Sequence, residues 1–327
     1  MKGIAVPGIA FQIPVIGFGC SALTNSGRQK SFQLLGAAFD AGVRHFDVAR
    51  YYGYGESESF LGTFLKTRRA EVTVTTKFGI EPPRRTNALR FAMHGGRRLI
   101  QLLPSVRGFL QRRAQGLLKS SRFSLKDAQK SLETSLRELG TDYIDFFLLH
   151  DYAVSENSPD EMVAFLMDAV KAGKILYFGL GTGVENIFRA LECQPQLCSV
   201  VQFENSVTSR NIERLPRSGS IRLTITHGSL SASYNLVSAF LKSHEEIAKR
   251  WSASLHLDCS KDEIISALML NYAVQANPNG LVLFSSSNTL RVKGNIRAVL
   301  EPEMAREQVK LFAQLVDRDF MPSNRAS

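Results

Sequence analysis

Short β-rich runs alternate with helix-period stretches along the chain, and eight such runs stand out: residues 15–18, 45–48, 72–77, 143–150, 175–180, 199–203, 222–226 and 281–284. Helical patterning lies near 29–41, 56–66, 124–139, 159–172, 184–193, 232–252, 261–274 and 289–298, with a last helix near 302–316. Local signals support these bounds. Ser124 sits before Lys126-Asp127, and Ser158-Pro159-Asp160-Glu161 reads as an N-cap, a first-turn proline and two first-turn acids. Gly42 and Gly173 follow their helices as C-terminal caps. Strands that alternate with helices imply parallel βαβ units, which leaves an open doubly wound sheet or a closed (β/α)8 TIM barrel. Eight units in 327 residues match the usual size of the barrel, and no compositional break divides the chain, so residues 1–327 read as one α/β domain. The first residues carry a weak likeness to a signal peptide, but Pro7, Gln12 and Pro14 interrupt it. They read instead as an N-terminal β-hairpin turning at Pro7-Gly8.

Residues 82–123 do not fit the alternation. They lie between the third strand and its helix and are far longer than an ordinary βα connection, so they read as an insertion. The insertion also holds the chain's charge. The formal net charge is +10, from 40 Lys plus Arg and 30 Asp plus Glu. Ten of the basic residues, and no acid, fall within 84–122. The remaining chain is balanced, which argues against a protein that is basic all over and binds polyanions throughout. The four cysteines (Cys20, Cys193, Cys198, Cys259) lack metal-ligand spacing and are too few for a disulfide framework, which points to a reducing, cytoplasmic compartment and no bound metal. No apolar run reaches the roughly 18 residues that a membrane-spanning helix needs.

The strand ends carry the chemistry. The second strand brings Asp47, the third ends in Lys77, the fourth in His150, and the sixth carries Gln202. In a barrel such ends share one mouth. Around them, FDVARYYGYGESESFLGTFL, TTKFG, LRELGTDYIDFFLLHD and KAGKILYFGLG resemble the aldo-keto reductase family over nearly the whole chain except the insertion. The first block is the most specific, since it couples Asp47 and Tyr52, five residues apart, to a helix start.

The resemblance implies a catalytic tetrad of Asp47, Tyr52, Lys77 and His150. Carbonyl reduction needs a hydride at carbon and a proton at oxygen. A free tyrosine titrates near ~10, and a neighbouring ammonium would lower that value. On this reading Tyr52 is the general acid/base, Lys77 tunes it, Asp47 holds Lys77, and His150 orients the carbonyl oxygen. The bland alternative for Asp47 and Lys77 is a structural ion pair. No side chain supplies hydride, so a carrier is implied. SSSNTLRVKGN resembles the family's adenosine-phosphate site, which assigns Arg291, Ser286 and Ser287 to the 2′-phosphate and Asn295 to adenine, and so favours NADPH over NADH. The nicotinamide end is assigned to Gly19, Cys20, Asp47, Gly181, Thr182, Gln202 and His227. Several positions depart from the family pattern. Gly181-Thr182 replaces a Ser-Asn pair, His227 a stacking Tyr, Ser285 a Lys, and Gly294 an acid. The segment Gly17-Phe18-Gly19-Cys20-Ser21-Ala22 mimics a dinucleotide fingerprint, but Asn25-Ser26-Gly27 intervenes before any helix.

The expected activity is therefore NADP(H)-dependent reduction of an aldehyde, ketone or open-chain sugar, or oxidation of the alcohol. Two alternatives stay open: a weakly active cofactor sensor of the same fold, as potassium-channel beta subunits look to be, and a membrane- or polyanion-associated protein acting through the insertion. In the insertion, arginines interleave with apolar residues such as Leu99, Leu103, Val106 and Leu110. Such a pattern suits a lightly packed loop, a lid that offers Arg to an anionic substrate, or a basic amphipathic helix on an anionic membrane surface. Specific nucleic-acid binding has no motif behind it. Oligomeric state and substrate identity are not written in the sequence.

Overall fold

The computed structural model describes residues 3–82, 123–154, 160–216 and 219–321. Two short strands, β1 (Gly3–Ile4) and β2 (Ile13–Pro14), pair antiparallel, with Gly8 in the left-handed region at φ 81° between them. This is the expected hairpin. It packs beside the start of a later strand, where the Tyr177 hydroxyl donates to the Pro7 carbonyl at 2.9 Å.

Eight parallel strands then close a barrel: β3 (Ile16–Gly19), β4 (His45–Asp47), β5 (Thr73–Phe78), β6 (Ile144–His150), β7 (Ile175–Gly181), β8 (Val200–Glu204), β9 (Leu223–His227) and β10 (Leu281–Phe284), with β10 returning to pair with β3. The fold is the expected (β/α)8 TIM barrel, and the open-sheet alternative falls away because no edge is left in the eight-stranded sheet. The helices are α1 (Arg28–Asp40), α2 (Ser57–Leu65), α3 (Leu125–Leu139), α4 (Asp160–Lys171), α5 (Val184–Cys193), α6 (Ala232–Ser243), α7 (Glu245–Leu255), α8 (Asp262–Ala276), α9 (Thr289–Leu300) and α10 (Arg306–Leu315). Ser124 caps α3 as expected, its hydroxyl accepting from the Asp127 amide. Gly173 ends α4 at φ 71°, its amide donating to the Val170 carbonyl. The Ser158-Pro159 signal and nearly all of the 82–123 insertion lie outside the described residues.

One expectation fails. The single helix expected over 232–252 is two helices, α6 and α7, broken at His244 (φ −131°, ψ 70°). The side chains of Ser243 and His244 both bond to the Phe240 carbonyl, at 3.0 and 2.9 Å, and so compete with the next helical amide. Glu245 and Glu246 then open α7, where acids complement the helix dipole.

Strand alternation decides what faces the barrel axis. His45 and Asp47 on β4, and Thr73, Thr75 and Lys77 on β5, share the inner face: the His45 ring nitrogens bond to the Thr73 and Thr75 hydroxyls at 2.9 and 3.3 Å. Phe46 points outward onto Phe64 of α2. Space for the His45 ring comes from Gly17, where a Cβ would lie 2.9 Å from it. The outer helices bury a second core around Trp251 and Phe312, and the Trp251 Nε1 donates to Asp319 at 2.7 Å.

Candidate active site

Register brings the polar strand ends together. Gly19 pairs with Asp47, His150 with Gly181, Gly181 with Gln202, and Glu204 with His227. All lie at the carboxyl ends of their strands and line one cavity of about 510 Å3, which also holds Lys77, Tyr52 and Tyr51. At its floor the Lys77 Nζ donates to Asp47 Oδ1 at 2.6 Å and to the Val48 carbonyl at 3.2 Å. Both side chains are buried. The second Asp47 oxygen accepts from Gln202 Nε2 at 3.0 Å. Gln202 Oε1 is buried and makes no hydrogen bond among the described residues. A Cβ at Gly181 would come 3.4 Å from that oxygen, so the glycine leaves the space over it open.

Tyr52 reaches the site through a turn of 3-10 helix, Tyr52–Gly55, which begins five residues after Asp47. The turn needs Gly53: its φ is +58°, and a Cβ there would strike Thr24 at 2.3 Å. The Lys77 ammonium lies 5.2 Å from the Tyr52 ring centroid, and the His150 ring centroid is 6.0 Å from it, edge-on. Lys77 was expected to lower the phenol's pKa. Instead burial first, then the Asp47 carboxylate, push it well above its ordinary value. Burial, Lys77 and His227 hold the His150 pKa well below its usual value. Burial also lowers His227, and in its case Asp47 opposes the shift. The site thus presents a neutral phenol and neutral imidazoles around one buried ion pair.

A second cavity, of about 640 Å3, takes in Ser286, Arg291, Asn295 and Gly294. It shares Leu230 and Ser285 with the first, so the two form one groove running from the tetrad to the start of α9. Two expected contributors do not reach the groove with their side chains. Cys20 is fully buried, its thiol facing the Phe18 carbonyl and pushed up in pKa by burial, while its amide donates to the Asp47 carbonyl at 2.8 Å. Ser287 lines neither cavity. Thr182 lines the first, but its hydroxyl already donates to the Tyr152 carbonyl and accepts from Asn186, each at 3.2 Å.

Some residues were not read from the sequence. Tyr51 packs between Tyr52 and His150, with ring centroids at 4.9 and 5.1 Å. Glu204 and Asp151 bring carboxylates to the mouth, and Asp151 adopts the left-handed region at φ 52°. Glu58, inside the recognisable motif, is fully buried, where it accepts from Arg50 at 2.8 Å and from the Thr76 hydroxyl at 2.7 Å, tying α2 to the outer face of β5. The strand-end logic could have flagged Glu204 and Asp151, which sit at or next to a strand end. Nothing in the local sequence marks Glu58 as buried.

The family model described as the aldo/keto reductase family matches residues 15–317. The chain belongs to this family. Among curated aldo-keto reductases, the NADP(+) aldo-keto reductase yakc of Schizosaccharomyces pombe is 31% identical over 209 residues, 62% of this chain and 52% of that protein. The D-threo-aldose 1-dehydrogenase of a Pseudomonas species is 32% identical over 164 residues, 45% and 42% of the two chains. These matches span about half the length of the relatives concerned, whereas the uncharacterized oxidoreductase YqkF of Bacillus subtilis aligns over 96% of both chains at 21% identity. Solved structures share the barrel. Aldo-keto reductase AKR11C1 of Bacillus halodurans superposes with a TM-score of 0.69 at 19% identity, covering 96% of each chain. An aldo-keto reductase of Klebsiella pneumoniae in complex with NADPH gives 0.67 at 20%, covering 100% of this chain and 98% of that one. No helix among the described residues is long and apolar enough to cross a membrane.

Proposed function

We propose that this protein is an NADP(H)-dependent oxidoreductase that reduces the carbonyl of an aldehyde, ketone or open-chain sugar, or oxidises the corresponding alcohol. The observation that carries the reading is the Lys77–Asp47 pair buried at the floor of a cavity beside the Tyr52 phenol and the His150 imidazole. A structural ion pair alone gives no reason for a phenol, a neutral imidazole and an unsatisfied amide oxygen to converge on the same space.

The groove suits a nicotinamide dinucleotide. The buried Gln202 Oε1 offers an acceptor to a primary amide, with Asp47 fixing the other end of that side chain. His227, at the end of β9, lines the same cavity with a flat face, and Gly181 leaves the space over Gln202 open. At the far end Arg291, Ser286 and Asn295 line the space for the cofactor's adenosine. When bound, the cofactor supplies the hydride. The chain's own residues handle the proton. Tyr52, held neutral, is in the form that donates to a developing alkoxide. The neutral His150 ring has one N–H to place on the carbonyl oxygen. Lys77, fixed by Asp47 and Val48, adds positive potential next to that oxygen without reorganising during reaction. The yakc and Klebsiella pneumoniae relatives are named for NADP(+) and NADPH, which supports the choice of carrier.

The test is NADPH oxidation against a panel of aldehydes, ketones and sugars, run beside Tyr52→Phe. Loss of the general acid is expected to lower turnover by roughly 10²–10⁴-fold while NADPH still binds. A Tyr52→Phe protein with full reductase activity refutes the mechanism. NADPH binding with no turnover of any carbonyl favours the sensor reading instead.

A further inference from the structure

The adenosine end of the groove is poorly equipped to hold a second phosphate. A 2′-phosphate would look for hydroxyls, helix amides and guanidinium groups, and here most of these are already engaged. The Ser285 hydroxyl donates to the Gly19 carbonyl at 2.8 Å. The Ser286 hydroxyl donates to the Asn288 carbonyl at 3.3 Å and accepts from the Asn288 amide at 3.2 Å. The first amides of α9 are also taken: Asn288 Oδ1 accepts from Leu290 and Arg291, at 2.8 and 3.2 Å. The N-terminus of α9, which would otherwise attract an anion, is capped by its own chain.

The charges lean the same way. Arg297 lines this end but lies 3.6 Å from Glu301 and 3.7 Å from Glu303, which line it too. Asp262 and Glu263 add two more carboxylates, and Lys242 offsets Asp262 alone, at 3.0 Å. Arg291 is the guanidinium in this lining with no acidic partner among the described residues. A dianionic phosphate would therefore gain one guanidinium and face an excess of carboxylates. A ribose 2′-hydroxyl loses nothing there, because a carboxylate readily accepts its hydrogen bond, as in nicotinamide sites that select the unphosphorylated cofactor.

We propose that this groove discriminates little between NADPH and NADH, so that the protein uses either carrier. The proposal rests on the oxidoreductase reading above and concerns only the adenosine end of the same site. The test is binding. The full-length protein is titrated with NADPH and with NADH, following the reduced nicotinamide fluorescence, and the melting temperature is measured with each. The two dissociation constants are expected to lie within about tenfold of one another. The Glu301→Gln/Glu303→Gln variant removes two opposing charges from exposed positions, so it is expected to fold normally. It should tighten NADPH by roughly three- to tenfold and shift NADH much less. NADPH binding tighter than NADH by about 100-fold or more overturns the proposal and leaves the oxidoreductase reading intact. A variant whose NADPH-to-NADH ratio equals that of the parent protein overturns it as well. If neither cofactor binds, the oxidoreductase reading fails and this inference fails with it.

Discussion

Lys77 and Asp47 test whether the floor of the site is built for function at the expense of stability. The pair is 2.6 Å apart, and the two side chains are 2% and 4% exposed. Replacing Lys77 with Met leaves the Asp47 carboxylate out of water with Gln202 Nε2, at 3.0 Å, as its remaining side-chain donor. Replacing Asp47 with Asn leaves the Lys77 ammonium buried with neutral acceptors alone, the Val48 carbonyl at 3.2 Å and the introduced amide oxygen. Breaking a buried pair from one side typically costs about 3–5 kcal/mol, because an uncompensated charge stays buried. At roughly 2.1 cal/mol/K of unfolding entropy per residue, a chain of this size loses about 4–7 °C of melting temperature for that cost. The Asp47→Asn/Lys77→Met protein removes both charges and keeps an amide oxygen for Gln202. It is expected to melt within a few degrees of the parent, or above it, since apolar or neutral replacements of buried pairs are often neutral or stabilising. All three variants should lack reductase activity, so turnover cannot decide the matter. Calorimetric melting at one scan rate can. A double variant as unstable as the sum of the two singles would show that the charges do not interact in the way their geometry implies.

Two further outcomes follow from burial. Burial holds the His45 ring neutral down to about pH 4, whereas in the unfolded chain it protonates near ~6.5. The unfolded chain therefore binds more protons across that window, so the contribution is present in full above ~6.5 and is lost as the pH falls towards 4, by about 3 kcal/mol in all. Urea unfolding at neutral and acid pH should show His45→Gln losing one proton's share of this slope, and equal slopes in parent and variant would contradict it. Gly62 of α2 meets the end of α3 so closely that a Cβ would lie 2.5 Å from the Glu138 carbonyl oxygen and 2.6 Å from that of Leu139. Gly62→Ala should cost about 1–3 kcal/mol despite its better helix propensity, while Gly36→Ala on α1, with nothing within 4 Å, should gain about 0.5–1 kcal/mol; matching melting shifts for the two would refute the steric argument.

The barrel could be read from the sequence because its strands are buried on both faces. The run Ile144–His150 is apolar except near its two ends, at Asp145, which pairs with Arg69, and at His150, which emerges at the mouth. Lys77, His150 and Gln202 likewise stand out as charged or polar groups near the carboxyl ends of buried strands. The Asp47 to Tyr52 spacing added the one element that does not come from a strand end. What stayed hidden depends on partners distant in sequence. Glu58 is satisfied in the core by Arg50 and by Thr76 of β5, partners that its local sequence does not announce. Thr182 reads as a cofactor ligand until its hydroxyl is found between Tyr152 and Asn186. Apolar periodicity runs through His244 and does not mark the break there, which comes from two local side chains on the Phe240 carbonyl.

Charge ties the site to the rest of the chain. The described lining of the catalytic cavity holds one ammonium or guanidinium, that of Lys77, and Asp47 neutralises it. Its imidazoles are held neutral, and Glu204 carries a carboxylate to the mouth. Among the described residues of this lining a carboxylated or phosphorylated compound would find no cation that is not already neutralised, while a neutral hydroxylated one would find hydrogen-bond partners. The chain's basic excess sits wholly in 84–122, outside the described residues. Nothing in the described lining of the cavity favours an anionic substrate. A neutral aldehyde or sugar would find its hydrogen-bond partners within that described lining, at Tyr52 and His150.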